Sequence, residues 1–204
     1  MNKFISNSLQ MNIAILILAA GGSSRMKATK QLLPIDNNTM LGLTVERALN
    51  SKANKVFCVL GANSEEVSKS IADYNVKIIL NSEFEKGLSS SIIKGIESIK
   101  PYSFNAVLIT LADQPNVDTE YINTLIDTSK KHSQHIIASN YSGAYGVPAI
   151  FPSKFFDQLL KLKGDKGAKV FLNSNLETVI AVEAKDQLID IDTREDYLNY
   201  LKNT

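Results

Sequence analysis

Short apolar runs rich in β-branched residues alternate with helix-patterned stretches along almost all of this 204-residue chain, and that rhythm restricts the fold more than any other feature. The spacing predicts strands at Ile13–Leu18, Lys55–Leu60, Val76–Leu80, Ala106–Leu111, His135–Ala138 and Val147–Phe151. Helices are predicted over Met40–Asn50, Ser64–Tyr74, Ser89–Ile99, Thr119–His132, Ser153–Leu160 and Thr193–Lys202. Strands that are apolar on both faces belong to sheets covered on both sides, so the pattern predicts an α/β fold, a three-layer α/β/α sandwich with a mostly parallel sheet. Right-handed crossovers then gather the loops that follow the strands on one edge, where such sheets bind ligands. Tyr141-Ser142-Gly143-Ala144 reads as a turn between two strands, a small β insertion near that edge. No proline- or glycine-rich linker and no repeat interrupts the chain, so residues 11–204 are read as one domain.

Composition narrows the function classes. Hydrophobic residues make up 44% and charged residues 21%, ordinary for a globular domain, and the net charge of +1 argues against broad nucleic-acid or membrane-surface binding. No run approaches the roughly 18 apolar residues of a membrane span. Met1 to Gln10 are polar, lack a signal-peptide pattern and are expected to form a disordered extension ahead of Met11, a second candidate start. A cytoplasmic location is the default expectation. Cys58, the only cysteine, lies within the apolar run Val56–Leu60 and is read as a packing residue. His132 and His135 have no carboxylate cluster beside them, so a zinc site is not expected.

The first strand runs directly into Leu18-Ala19-Ala20-Gly21-Gly22-Ser23-Ser24-Arg25-Met26, with Lys30 and Leu33-Pro34 beyond. Small residues let backbone N–H groups approach an anionic ligand, and Arg25 and Lys30 add the charge that a polyphosphate needs. The plainer reading is a glycine turn followed by solvated cations. Neither the P-loop nor the dinucleotide glycine pattern is present. Asp113, in Leu111-Ala112-Asp113-Gln114-Pro115, ends a buried strand on the same edge; it suits magnesium or, equally, an Asx turn before Pro115. Farther along, Asp190 and Asp192 alternate as if on one side of a short strand, while Asp192 also reads as a helix N-cap partnered by Glu195. Asn81 ends the third strand, and Gly87-Leu88-Ser89-Ser90-Ser91 opens a helix whose free N–H groups could meet an anion or simply be capped by Ser89 or Ser90.

Together these segments resemble the L-A-A-G-x-S-x-R-M…K…L-P, L-A-D-Q-P and D-I-D-T motifs of the MobA-like NTP transferase family, and within it the molybdenum cofactor cytidylyltransferases. The resemblance runs from Met11 nearly to the end and implies a Rossmann-like nucleotidyltransferase sheet. It implies nucleotide binding by Leu18, Ala19, Ala20, Gly21, Gly22, Arg25, Lys30, Asn81, Gly87, Ser89 and Ser90. Catalytic roles fall to Arg25, Lys30 and Asp113, and magnesium to Asp113 and Asp192. Gly146 and Pro148, in Gly146-Val147-Pro148-Ala149-Ile150-Phe151-Pro152, are implied on the acceptor side together with the Gly164-Asp165-Lys166-Gly167-Ala168 segment; Lys166 and Lys169 also read as the cations of an exposed helix start.

The implied reaction is magnesium-dependent transfer of CMP from CTP to molybdopterin with release of pyrophosphate. Its product serves xanthine dehydrogenase-type enzymes, whose apo-enzyme becomes an expected partner. Ala20 stands where the guanylyltransferases of the group carry Gly, and its methyl group narrows the base pocket against a purine. Val147 stands where many of the cytidylyltransferases carry His, and Arg194 replaces a common Pro. Guanylyl transfer, sugar-phosphate nucleotidyl transfer and a non-catalytic cofactor carrier remain alternatives. The combination of Arg25, Lys30, Asp113 and Asp192 argues for catalysis over carriage.

Overall fold

In the computed structural model, which describes residues 11–22, 26, 28–141, 143–165, 167–184 and 189–203, every apolar run expected to form a strand does so. The main sheet contains β1 (Ile13–Ala19), β4 (Lys55–Leu60), β5 (Lys77–Leu80), β6 (Ala106–Leu111), β7 (Ile136–Tyr141), β8 (Ala144–Pro152) and β9 (Val179–Glu183). A separate antiparallel pair, β2 (Pro34–Ile35) and β3 (Asn38–Thr39), was not expected. The helices are α1 (Met40–Leu49), α2 (Ser64–Lys69), α3 (Leu88–Ile99), α4 (Thr119–Lys131), α5 (Phe156–Leu159), α6 (Gly167–Asn173) and α7 (Arg194–Asn203). The expected N-terminal extension, Met1 to Gln10, lies outside the described residues.

The strand order is β5-β4-β1-β6-β8-β7-β9, and only β8 runs against the others. The β7–β8 hairpin creates that reversal: the two strands joined by a turn were expected, and the structure adds that β8 returns between β6 and β7. β1 is buried along its whole length and hydrogen-bonds to β4 on one side and β6 on the other. Its side chains alternate between two cores. Ile13, Ile15 and Ile17 pack with Leu41 and Val45 of α1 and Leu125 of α4. Ala14, Leu16 and Leu18 pack with Ile92 and Ile96 of α3, Leu159 of α5 and Phe171 of α6. Two cores on opposite faces of one sheet make the three layers. Cys58 is fully buried, and burial pushes its thiol pKa up, so it packs as an apolar residue.

Several boundaries moved for local reasons. α2 stops at Lys69 instead of Tyr74, because the following bonds tighten to i→i−3 spacing (Ser70 to Val67, Ile71 to Ser68) ahead of Asp73 and Asn75, which favour turns. The helix expected over 153–160 divides into a 3₁₀ turn and the single turn of α5. β9 was missed although Val179-Ile180-Ala181-Val182 is rich in β-branched residues; it is a half-buried strand at the sheet edge, paired among the described residues with β7. No helix among the described residues is long and apolar enough to cross a membrane.

α3 approaches the sheet closely at Gly95, where an added Cβ would lie 2.3 Å from Leu16 Cδ2. Leu16 is fully buried and has nowhere to retreat. Gly95→Val is therefore expected to destabilise the fold by about 1–3 kcal/mol, the usual cost of overpacking. Urea denaturation checks this, and an unchanged midpoint would mean that α3 can lift from the sheet at little cost.

Candidate active site

The loops after β1 and β6 leave the same edge of the sheet side by side, with Ala112 N donating to Leu18 O at 3.2 Å. The glycine loop is held from inside by Gln31, a residue that the sequence reading did not single out. Its buried Nε2 donates to the carbonyls of Ala19 and Gly21, both at 2.9 Å. The signal was a polar residue followed by the apolar pair Leu32-Leu33, next to the expected phosphate cation. Among the described residues other than its chain neighbours, nothing lies within 4 Å of a Cβ built on Gly21. The space beside it belongs to a cavity of about 330 Å³ lined by Leu18, Ala20, Gly21, Lys30 and Asp113. Ala62 N donates to Ala20 O at 3.1 Å and fixes the other flank.

At the mouth of that cavity Lys30 donates its Nζ to Asp113 Oδ2 at 2.7 Å and to Asp192 Oδ1 at 3.0 Å. Burial by itself would lower the Lys30 pKa, but the Asp113 carboxylate and then Asp192 more than offset this and hold it above the ordinary lysine value. The sequence reading aimed Lys30 at phosphates; here its ammonium sits between the two expected metal ligands. Asp113 is held by its strand end, and its carbonyl accepts from Ile191 N at 2.9 Å, which brings the Asp192 segment alongside. Asp113 Oδ1 is buried with no hydrogen-bond partner among the described residues. Two carboxylates already gathered around a cation, one with an unused oxygen, form a hard all-oxygen donor set. That set fits a magnesium-type ion whose remaining positions go to water and substrate phosphates. Among the described residues no group of three or more potential ligands exists, so an all-protein metal cage is not what this site provides.

Two expected caps are corrected. The cap of α7 is Thr193, whose Oγ1 accepts from Asp196 N at 3.1 Å while Asp196 Oδ2 accepts from Thr193 N at 2.7 Å. The Asp192–Glu195 box does not form, and Asp192 keeps its carboxylate for Lys30. Nor do Asp190 and Asp192 lie on a strand; residues 189–192 have no regular structure. The N-cap of α3 is Gly87, with φ +94°, and Ser89 and Ser90 fall within the first turn. Ser90 Oγ donates to Gly87 O at 2.8 Å, and Ser89 N donates to Gly164 O at 3.2 Å.

Of the other expected nucleotide residues, Ala19 and Gly87 line the first cavity, as does Ser91. Asn81 instead spends its side chain internally: its Nδ2 donates to Ser90 Oγ at 2.9 Å and Ser91 Oγ at 3.1 Å, tying β5 to the start of α3. A Cβ built on Gly22 would lie 3.6 Å from Ala62 Cβ, an ordinary contact. Asp165, expected on the acceptor side, lines the first cavity. Arg25 and Lys166 lie outside the described residues.

A second cavity, of about 310 Å³, shares Leu18, Leu88 and Leu111 with the first, so the two form one cleft. Gly146 and Val147 line it, whereas Pro148, which follows a cis peptide bond, is buried and its carbonyl accepts from Ser139 Oγ at 2.7 Å. Burial raises the Asp190 pKa above the ordinary carboxylate value; a hydrogen bond from Gln114 lowers it in part, and the charges of Asp113 and Asp192 push it up again.

If Lys30 neutralises the carboxylate pair, Lys30→Met removes that cation from between Asp113 and Asp192. Fully buried pairs cost about 3–5 kcal/mol to break, and this partly open one is expected to cost about 2. Millimolar Mn²⁺ should restore much of the lost melting temperature in the variant and change the wild type less. Scanning calorimetry with and without the ion tests this, and equal responses would separate Lys30 from the metal position.

The sequence profile of the MobA-like NTP transferase domain matches residues 15–179. The chain is 30% identical over 192 residues to the purine catabolism protein PucB of Bacillus subtilis, covering 89% of this chain and 92% of that one. Nicotine blue oxidoreductase of Paenarthrobacter nicotinovorans is 26% identical, with coverage of 91% and 95%. The molybdenum cofactor cytidylyltransferase of Escherichia coli is 22% identical, with coverage of 91% and 94%. Among solved structures, the manganese complex of Rv0371c from Mycobacterium tuberculosis superimposes with a TM-score of 0.79 at 26% identity, over 95% of this chain and all of that one. On this evidence the chain belongs to the MobA-like NTP transferase family.

Proposed function

We propose that the protein is a nucleotidyltransferase that moves CMP from CTP to molybdopterin, or its metal-loaded form, and releases pyrophosphate. The observation that carries this reading is the Asp113–Lys30–Asp192 cluster in the cavity bounded by the glycine loop, beside a second cavity bounded by the β7–β8 hairpin with which it shares Leu18, Leu88 and Leu111. A transfer between two substrates needs such an arrangement: a triphosphate in one cavity, an acceptor in the other and charge control where they meet. Resemblance to a molybdenum cofactor cytidylyltransferase supports the substrate pair. Kinship with a purine catabolism protein is in keeping with a product used by xanthine dehydrogenase-type enzymes, since xanthine is a purine.

Phosphoryl-type transfer asks little covalent work of protein side chains, so positioning and electrostatics carry the rate. Backbone groups of Ala19 to Gly22, held by Gln31, receive the triphosphate. The acceptor's phosphate oxygen attacks the α-phosphorus, the bond to the β-phosphate oxygen breaks, and pyrophosphate leaves toward Arg25 and Lys30. The nucleophile is already anionic at neutral pH, so no general base is required. Asp113 and Asp192 would hold a magnesium-type ion, which supplies neutralisation of the phosphate charge at the reacting centre; the manganese complex of a similar structure supports a divalent ion. In that state Lys30 exchanges its carboxylate partners for the leaving group.

Pyrophosphate release measured with each of the four NTPs, with and without molybdopterin, tests the assignment directly. CTP with molybdopterin should be the productive pair; a requirement for GTP moves the reading to guanylyl transfer, and no turnover with any nucleotide moves it to a carrier. Ala20 is 5% exposed on the first cavity wall, so its methyl group is fixed in place. CTP is expected to outperform GTP by at least roughly tenfold in kcat/KM, and Ala20→Gly to shrink that ratio. Asp113→Asn should remove most of kcat, a loss of several kcal/mol of transition-state stabilisation, while leaving the circular dichroism spectrum unchanged. Normal turnover by this variant would return Asp113 to a turn role.

A further inference from the structure

The second cavity is lined mostly by apolar side chains, with Lys169 and a linked polar group of Gln114, Tyr141 and Asp190 among them. Gln114 is 2% exposed, and its Nε2 donates to Tyr141 Oη and to Asp190 Oδ1, both at 2.9 Å. The Tyr141 hydroxyl in turn donates to the Val147 carbonyl. This relay fixes every orientation along it. The Tyr141 proton points to a carbonyl, so its oxygen can only accept from Gln114, and both amide protons of Gln114 are thereby committed. Asp190 receives one of them on Oδ1. Among the described residues its carboxylate has no other hydrogen-bond partner, and the residue lines the cavity as an exposed group. Ile92, Ile109 and Leu111 line the cavity beside it, together with the Tyr145 side chain.

An ionised carboxylate only accepts, so this corner selects a ligand group that donates. The space between apolar side chains and Tyr145 suits a flat ring, and a carboxylate is best satisfied by two parallel N–H groups on the edge of such a ring. We propose that Asp190, oriented by Gln114, is the specificity-determining residue for the acceptor and reads the paired N–H donors of a 2-amino-4-oxo-pyrimidine edge. This rests on the assignment of the second cavity to the acceptor. Its sense also bears on orientation: an anionic phosphate is repelled from the Asp190 corner and is drawn instead to the cations of the cleft, Lys169 in the second cavity and Lys30 in the first. Without Asp190 the cavity would retain its shape but lose its means of telling an amino group from a carbonyl at that edge.

The experiment compares a pterin with the corresponding lumazine, in which the 2-amino donor is replaced by a carbonyl. Binding of neopterin monophosphate and of its lumazine analogue is measured by fluorescence quenching in the wild type, Asp190→Asn and Asp190→Ala. The wild type is expected to favour the pterin by at least roughly tenfold, which is about 1.4 kcal/mol. Both variants should bring the ratio close to one, chiefly by weakening the pterin. A wild-type preference that survives both substitutions overturns the role of Asp190 while leaving the acceptor assignment standing. A wild type that binds neither compound overturns the acceptor assignment and the proposal with it. CTP affinity, read in the same samples, reports whether the first cavity is intact. A variant whose CTP binding and melting temperature are preserved but whose ratio has collapsed supports selection at Asp190 over a merely structural role.

Discussion

Lys30 reaches across 83 residues to Asp113 and across 162 to Asp192. Three chain segments that share no secondary structure are drawn together by those two contacts: the region after the glycine loop, the end of β6 and the entry to α7. The attraction is strong enough to outweigh the burial cost of the ammonium, which keeps its proton. Two carboxylates drawn to one point repel one another, and the ammonium between them offsets that repulsion.

The rest of the site follows from where the sheet puts its strand ends. β1 and β6 are neighbours, so their C-terminal loops emerge together, and the Asp113 carbonyl captures Ile191 and with it the Asp192 segment. The reversed strand β8 brings the β7–β8 hairpin to the same edge, where it walls the second cavity. Leu18, Leu88 and Leu111 serve both cavities, which makes the division between them thin and apolar. Buried polar groups such as Gln31 and Asn81 hold the rims.

Much of this was legible before any coordinates. The strands at 55–60 and 106–111 coincide with the apolar runs because a doubly covered strand has to be apolar along its whole length. Asp113 stood out because a carboxylate directly after such a run has to emerge at the sheet edge. The edge strand β9 was harder to see, because half-burial weakens the apolar signal. The caps of α3 and α7 were misplaced by one to three residues. Several residues at each helix start could cap it, and tertiary contacts choose among them: Gly87 is preferred where its backbone passes close to Gly164 and Asp165, and Thr193 where Asp192 is drawn to Lys30.

The sequence by itself determined the layered α/β architecture, the glycine loop after β1 and the residue types at the strand ends, because hydrophobic periodicity and turn chemistry are local properties of the chain. It also carried the family resemblance. Only the tertiary structure decided that Lys30 lies between Asp113 and Asp192, that Asn81 is occupied with Ser90 and Ser91, and that Gln114 links Tyr141 to Asp190. Those pairings join residues far apart in sequence, and no local pattern encodes them. They exist because burial leaves each polar group to find a partner among whatever the fold brings within reach.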